Sequence, residues 1–228
     1  MALTSKERLY QDLQRRILTL DLAPGAHLDE TRLSEDYGIS RTPLRDVFRQ
    51  LDGEGYIEIR EHRGTIVSPM GHKTMRDFYL AAPMIYSAVA RLAARNSGPA
   101  ELDALRDVQA KFRHAVTTAD VDGMVFWNDR FHLATGEIAD NPYLLPSLRR
   151  LLIDHARIGQ TFWRAGPRED AGRIAAAVEH HDAFIAAFEV HDEEAAVKLT
   201  WEHWDLSRSH IERYVHPDPL TEAMQTGP

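Results

Sequence analysis

Apolar side chains recur at helical spacing from the start of the chain: Leu9, Leu13, Ile17 and Leu20 lie in a segment over residues 6–20 that stops before Pro24-Gly25. A second, short helix fits Glu30 to Tyr37, and Gly38 breaks it. A third is predicted to start at Ser40 or Thr42, either of which can cap it, and to run to about Leu51. Pro43 suits its first turn, where an N–H has no partner inside the helix. After Gly53 and Gly55 the pattern changes to two short β-prone runs, Tyr56 to Ile59 and Thr65 to Val67. Arg60, His62, Arg63 and Gly64 lie in the polar link between them, which predicts a small hairpin.

Beyond Ser68-Pro69-Met70-Gly71 the chain turns to long Ala-, Leu- and Arg-rich segments without strand-like alternation. Breaks at Ser97-Gly98-Pro99, Asn141-Pro142, Gly166-Pro167 and His216-Pro217 separate helices predicted near 73–96, 99–118, 120–139, 143–164, 170–190 and 192–214. The fold class expected is therefore mainly α. Residues 1–70 form a winged helix-turn-helix with a small β-hairpin wing, residues 71–216 an all-helical bundle, and residues 217–228 a flexible tail. The sequence carries no internal repeat.

Composition narrows the chemistry. The 228 residues are enough for two ordinary domains. With no cysteine, disulfides, thiolate metal sites and thiol catalysis are excluded, and a metal would have to be held by His, carboxylate or amide groups. No run of about 18 apolar residues occurs, and the first residues do not read as a leader, so a cytoplasmic protein without a membrane partner is expected. The net charge of -8 argues against a general nucleic-acid coating protein, though not against a local basic face.

Such a face is present. Arg41, Arg45 and Arg49 are each four residues apart and stack along one side of the third helix, while Leu44, Val47, Phe48 and Leu51 take the other. An Arg triplet of this kind is, by itself, more often a solvated helix face than a DNA contact. In a helix-turn-helix, however, the third helix lies in the major groove, where arginines read guanine edges and hold phosphates. Arg63 and Gly64 sit at the hairpin turn, where a charged side chain and bare backbone can approach the minor groove.

The segment LAPGAHLDETRLSEDYGISRTPLRDVFRQLDGEGYIEIREHRGTIV resembles the DNA-binding domain of the GntR family, over about residues 8–68. Pro24-Gly25 matches the turn after the first helix, Ser40 to Arg45 the opening of the recognition helix, and Arg63-Gly64 the wing tip. The resemblance implies that Arg41, Thr42, Arg45 and the wing contact double-stranded DNA, and that a homodimer binds a pseudo-palindromic operator. The candidate DNA contacts are Thr31, Arg32, Ser40, Arg41, Thr42, Arg45, Arg49, His62, Arg63 and Gly64.

Three of the twelve histidines fall at interpretable places in the second half. Asn128 and His132 are four apart and project from one helix face, His181 lies among Val178, Phe184, Ile185 and Phe188, and His203 lies among Leu199, Trp201, Trp204 and Leu206. Side chains from three bundle helices can converge on one interior point. By spacing alone each histidine is more often a hydrogen-bonded or exposed residue than a ligand.

Residues 73–214 resemble the FCD effector domain of the FadR subfamily, on Asn128, the Phe131-His132 pair, His181, the stretch Asp192 to Ala196, and His203. The resemblance implies a divalent metal on Asn128, His132, His181 and His203, zinc first with nickel, manganese or iron as alternatives, and open positions for a small carboxylate effector. His180 competes with His181, but the distance to Asp192 favours His181. Two departures stand out. Ala82 and Tyr86 occupy positions where the subfamily commonly has Arg and Glu, which points to another effector anchor, for which Arg157 and Tyr86 are the candidates; and Asn128, a weaker donor, replaces Asp. The expected function is a DNA-binding transcriptional regulator, a repressor, whose operator affinity follows a metabolite. A regulator that senses the cation itself is one alternative. A zinc hydrolase is another, but its candidate bases Asp129 and Glu202 are turned about 100 degrees from the neighbouring histidines.

Overall fold

The computed structural model describes residues 3–164 and 171–215, and within them the backbone is mostly helical. Helix α1 (Ser5–Leu18) begins with a capping box, in which the Thr4 hydroxyl accepts from Glu7 N–H and the Glu7 carboxylate accepts from Thr4 N–H. Leu9, Leu13 and Ile17 form its buried stripe. Leu20, expected to close that stripe, lies past the helix end with a φ of 62°, and it is Leu18 that packs onward, against the Phe112 cluster of the second domain.

Helix α2 (Glu30–Tyr37) is capped by Asp29, whose carboxylate accepts from Thr31 and Arg32 N–H, and is closed by Gly38 in the left-handed region. Helix α3 (Arg41–Glu54) starts after Ser40, although the Ser40 hydroxyl makes no capping bond, and it runs through Gly53 to end at Gly55. Two constraints keep Gly55 a glycine: its φ is 91°, and a Cβ there would come within 2.5 Å of Arg150 Cδ.

The predicted hairpin forms from β2 (Ile57–Arg60) and β3 (Gly64–Val67), with Ile57 opposite Val67 and Arg60 opposite Gly64. A third strand not foreseen, β1 (His27–Leu28), pairs antiparallel to β3, so the sheet order is β1-β3-β2. At two residues it is too short for alternation to reveal it. The α1–α3 side chains and Val67 close the first core.

Six helices follow: α4 (His72–Asn96), α5 (Pro99–Thr117), α6 (Val121–Ile138), α7 (Leu144–Arg164), α8 (Ala171–Glu189) and α9 (Glu193–Val215). Each expected bundle helix is present, with ends displaced by a residue or so, as fraying helix termini allow. The expected tail over 217–228 lies outside the described residues. Helices α4 and α9 run against each other: Arg91 and Arg95 near the end of α4 pair with Glu193 and Glu194 at the start of α9, while Phe78 packs tilted and Tyr79 edge-on against Trp204. The bundle core gathers Phe78, Ala82, Phe131, Leu148, Phe184 and Phe188.

Candidate functional site

The first functional surface is the outer face of α3 with the wing. Because α3 buries Leu44, Val47, Phe48 and Leu51, its opposite side carries Arg41, Thr42, Arg45 and Arg49, all exposed. Thr31, Arg32, Ser40, His62, Arg63 and Gly64 are exposed as well. The wing turn is a three-residue loop, Glu61-His62-Arg63, closed by Arg63 N–H donating to Arg60 C=O at 3.1 Å. Gly64 takes a φ of 78° and His62 one of 58°, so the turn itself requires the left-handed backbone. A groove between α3 and the wing is lined by Arg45, Arg49, Arg60, His62 and Gly64 together with Glu30. Glu30 holds Arg45 by an ion pair of 3.3 Å, and Asp46 holds Arg49 at 3.1 Å. Arg41 and Arg63 are exposed and form no ion pair among the described residues.

The second site lies inside the bundle. His132 of α6, His181 of α8 and His203 of α9 each offer a ring nitrogen, and these atoms lie within 4.8 Å of one another. His132 Nε2, His181 Nε2 and His203 Nδ1 are buried and have no hydrogen-bond partner among the described residues. Buried polar atoms are normally paired, so three unpaired nitrogens at one point call for something between them.

The other side of His181 fixes which nitrogen is free. Gln109 Nε2 donates to Val178 C=O and to Asp182 Oδ1, both at 3.0 Å, which turns Gln109 Oε1 toward His181 Nδ1, also 3.0 Å away. An amide oxygen can only accept, so Nδ1 carries the proton and Nε2 presents its lone pair. Arg113 in turn holds Asp182. The ring stacks on Phe131 at 3.8 Å, so its plane is set too. This is the carboxylate- or amide-backed arrangement that metal-binding histidines use.

Burial keeps the cluster unprotonated. His132 and His181 are held well below the usual histidine range by desolvation and then by their histidine neighbours, and His203 is pushed down to about 3 for the same reasons. Neutral imidazoles are what a cation requires. Asn128 is buried, one turn before His132, and lines the same cavity as His132 and His203. His180 stacks near His203 with ring centroids 5.6 Å apart, but it is His181 whose nitrogen joins the cluster.

The cavity beside the histidines is walled by Tyr86, Phe184, Thr200 and Trp204 among others, and also by His155, which sequence reasoning missed. A signal existed: His155, Ile158 and Gly159 stand at i, i+3 and i+4 and share one face of α7. The Tyr86 hydroxyl lies 2.9 Å from His155 Nδ1. Burial pushes the His155 ring down to about 4 and raises the Tyr86 phenol well above 10.

Arg157, expected as an effector anchor, does not line this cavity. It is completely buried elsewhere, with Nη1 donating to Asp154 Oδ1 at 3.1 Å and Nη2 to Ser68 C=O at 2.6 Å. Residues 155, 158 and 159 take the cavity face of α7, and position 157, two beyond 155, turns away from it. Asp129, a candidate base, has its carboxyl lifted by burial to about 7 but does not line the cavity beside the histidines.

Comparison with known proteins now decides the family. Residues 5–67 match the family of bacterial regulatory proteins called gntR, and residues 78–206 match the FCD domain. The chain belongs to the GntR family and carries an FCD domain. Over 199 residues this GntR regulator is 28% identical to the HTH-type transcriptional repressor RspR of Escherichia coli, covering 86% of this chain and 84% of RspR. It is also 28% identical, over 193 residues, to an uncharacterized HTH-type transcriptional regulator in an unstable DNA locus of Streptomyces ambofaciens, covering 82% of this chain and 76% of that one. Among solved structures, Escherichia coli McbR/YncC superposes with a TM-score of 0.75 at 20% identity, covering 92% of this chain and 96% of that one. A putative GntR regulator from a Rhodococcus species gives 0.71 at 18%, covering 93% and 100%. These two likenesses establish the fold. The family and its relatives are transcriptional regulators, not enzymes. No helix among the described residues is long and apolar enough to cross a membrane.

Proposed function

We propose that this GntR regulator is a repressor that binds a pseudo-palindromic operator as a homodimer, and that a small carboxylate bound at a divalent metal, zinc first, changes its operator affinity. The observation that carries the reading is the set of three buried, unpaired and neutral ring nitrogens on His132, His181 and His203, with the His181 tautomer fixed from behind by Gln109. Those three residues and Asn128 would hold the cation. When bound, a divalent ion on histidine ligands leaves coordination positions that take an oxygen donor. The name of the relative RspR supports the repressor role. A single short recognition helix reads too few bases for specificity, which supports two half-sites about one helical turn, ~34 Å, apart. Thr31, Arg32, Ser40, Arg41, Thr42, Arg45, Arg49, His62, Arg63 and Gly64 remain the proposed contacts.

The same helix that walls the cavity also grips the DNA-binding half. On α7, His155, Ile158 and Gly159 face the cavity, whereas Arg150, Asp154 and Arg157 form a chain of ion pairs that ends on Ser68, directly after strand β3. A ligand that shifts α7 therefore acts on the position of the winged domain. Its effect is limited to its differential affinity for the two arrangements, about 1–3 kcal/mol.

The test measures bound metal and operator binding together. His181→Ala and His203→Ala are expected to lose the metal and the metabolite response while keeping operator affinity. Wild-type protein that binds operator but carries no metal after exposure to zinc would refute the metal half of the reading. Operator release by zinc alone would favour a regulator that senses the cation itself.

A further inference from the structure

Resting on the reading of the histidine centre as the effector site, we propose that His155 binds the effector directly, donating a hydrogen bond from Nε2–H to an oxygen of a metal-bound carboxylate. The hydrogen on the Tyr86 phenol sets the His155 tautomer. This phenol is 8% exposed, and His155 Nδ1 at 2.9 Å is the hydrogen-bond partner the structure gives it among the described residues. If Nδ1 carried the imidazole proton, it would point at the phenol oxygen and leave the phenol hydrogen buried without an acceptor, a state proteins avoid. Nδ1 therefore accepts, and in a neutral imidazole the proton is then on Nε2.

That second nitrogen is free to act. Nδ1 is engaged by Tyr86, no described residue hydrogen-bonds to Nε2, and the ring lines the cavity. The ring centroid stands 5.1 Å from that of His132, one imidazole away from the cluster. His155 thus stands beside the residues that would hold the cation, on the wall of the cavity a bound carboxylate would enter.

The cavity's walls define the ligand class. Val89, Ile158, Phe184 and Trp204 supply an apolar enclosure for the remainder of the molecule. The ligand is therefore a carboxylate with an aliphatic or aromatic body, and Tyr86 acts as the positioning residue that sets the His155 tautomer.

The experiment uses the full chain loaded with Co(II), whose visible absorption reports the coordination shell, and benzoate as the probe. Wild type is expected to bind Co(II) and change spectrum on adding benzoate. His155→Phe should bind Co(II) with the same affinity and ligand-free spectrum, but take benzoate at least tenfold more weakly. His155→Gln, which restores an N–H donor, should recover part of the loss. Tyr86→Phe, which frees the tautomer without touching the donor, should lose a few-fold and serves as the second variant if His155→Phe does not fold. Benzoate binding of wild-type affinity in both His155→Phe and Tyr86→Phe would overturn the proposal. Wild type that binds Co(II) with no response to benzoate would overturn it and leave the metal centre standing. Wild type that binds no Co(II) would remove the metal reading and this inference together.

Discussion

Arg157 reaches across the two halves of the protein and donates to the main-chain carbonyl of Ser68 at 2.6 Å. Ser68 is itself fixed to the winged domain, with its N–H on Tyr56 C=O and its hydroxyl on Gly55 C=O. Asp154 sits between Arg157 and Arg150, and the Arg150 stem lies against Gly55. A buried guanidinium, a buried carboxylate and a glycine without a side chain thus lock α7 onto the end of α3 and the end of β3.

Arg157→Ala should break that lock. Removing the guanidinium leaves the Ser68 carbonyl without this donor and Asp154 with Arg150 alone, at a cost of about 1–3 kcal/mol. Because the loss falls on the contact between domains, calorimetry should show the unfolding transition separating into two. A single transition at the wild-type temperature would show that the domains do not depend on this contact.

Gln109→Leu tests what orients the metal centre. Losing the acceptor on His181 Nδ1 frees the tautomer and should weaken metal binding about 10–100-fold with the helices intact. Gln109→Glu keeps an acceptor toward His181 but sets its second oxygen against the Val178 carbonyl and Asp182, so it should recover only part of the binding. Competition with a chromophoric chelator measures both.

Arg45→Ala should cost about 1–3 kcal/mol of operator binding and relax the preference at one position per half-site. Glu30→Gln releases Arg45 from its ion pair and should raise affinity for unrelated DNA more than for the operator. Anisotropy titrations on both DNAs separate these outcomes, and an unchanged operator profile for Arg45→Ala would exclude a base contact.

The metal-free protein should lose stability as the pH falls below about 6.5. His155 and His203, pushed down to about 4 and about 3, stay neutral in the fold while the unfolded chain takes up protons near 6.5. Their contribution is complete above pH 7 and is lost on acidification toward their folded values, on the order of 1–2 kcal/mol each by pH 5. His132 and His181 shift in the same direction. Asp129, lifted to about 7, works in the opposite sense, favouring the fold as pH falls from 7 toward 4, and offsets about one histidine. Urea midpoints at pH 7.5 and pH 5 give the sign, and a higher midpoint at pH 5 would contradict it.

Much of this was legible in the sequence for a physical reason. Helix period, caps and breaks are local, so α2 was found to the residue, and the Arg41, Arg45 and Arg49 face follows from spacing alone. Asn128, His132, His181 and His203 were placed by resemblance, since nothing local says that three helices converge. Long-range facts were missed. Strand β1 exists only through β3, His155 matters only because α7 turns toward Tyr86, and Arg157 was misassigned because a lone arginine on a helix does not reveal which neighbour will neutralise it.

The exposed arginine face sits in an otherwise acidic molecule, and that contrast governs how the protein finds DNA. Residues 1–70 hold ten Lys and Arg against twelve Asp and Glu, so even the DNA-binding half is not basic on balance. Sliding along a duplex depends on a diffuse positive surface that exchanges counterions at any sequence, and this protein has only a narrow one. On the proposed contacts, encounters with random DNA are expected to be brief and those in the wrong orientation repelled, so that occupancy of the genome concentrates at the sites the arginines can read, with little protein held in reserve on the rest.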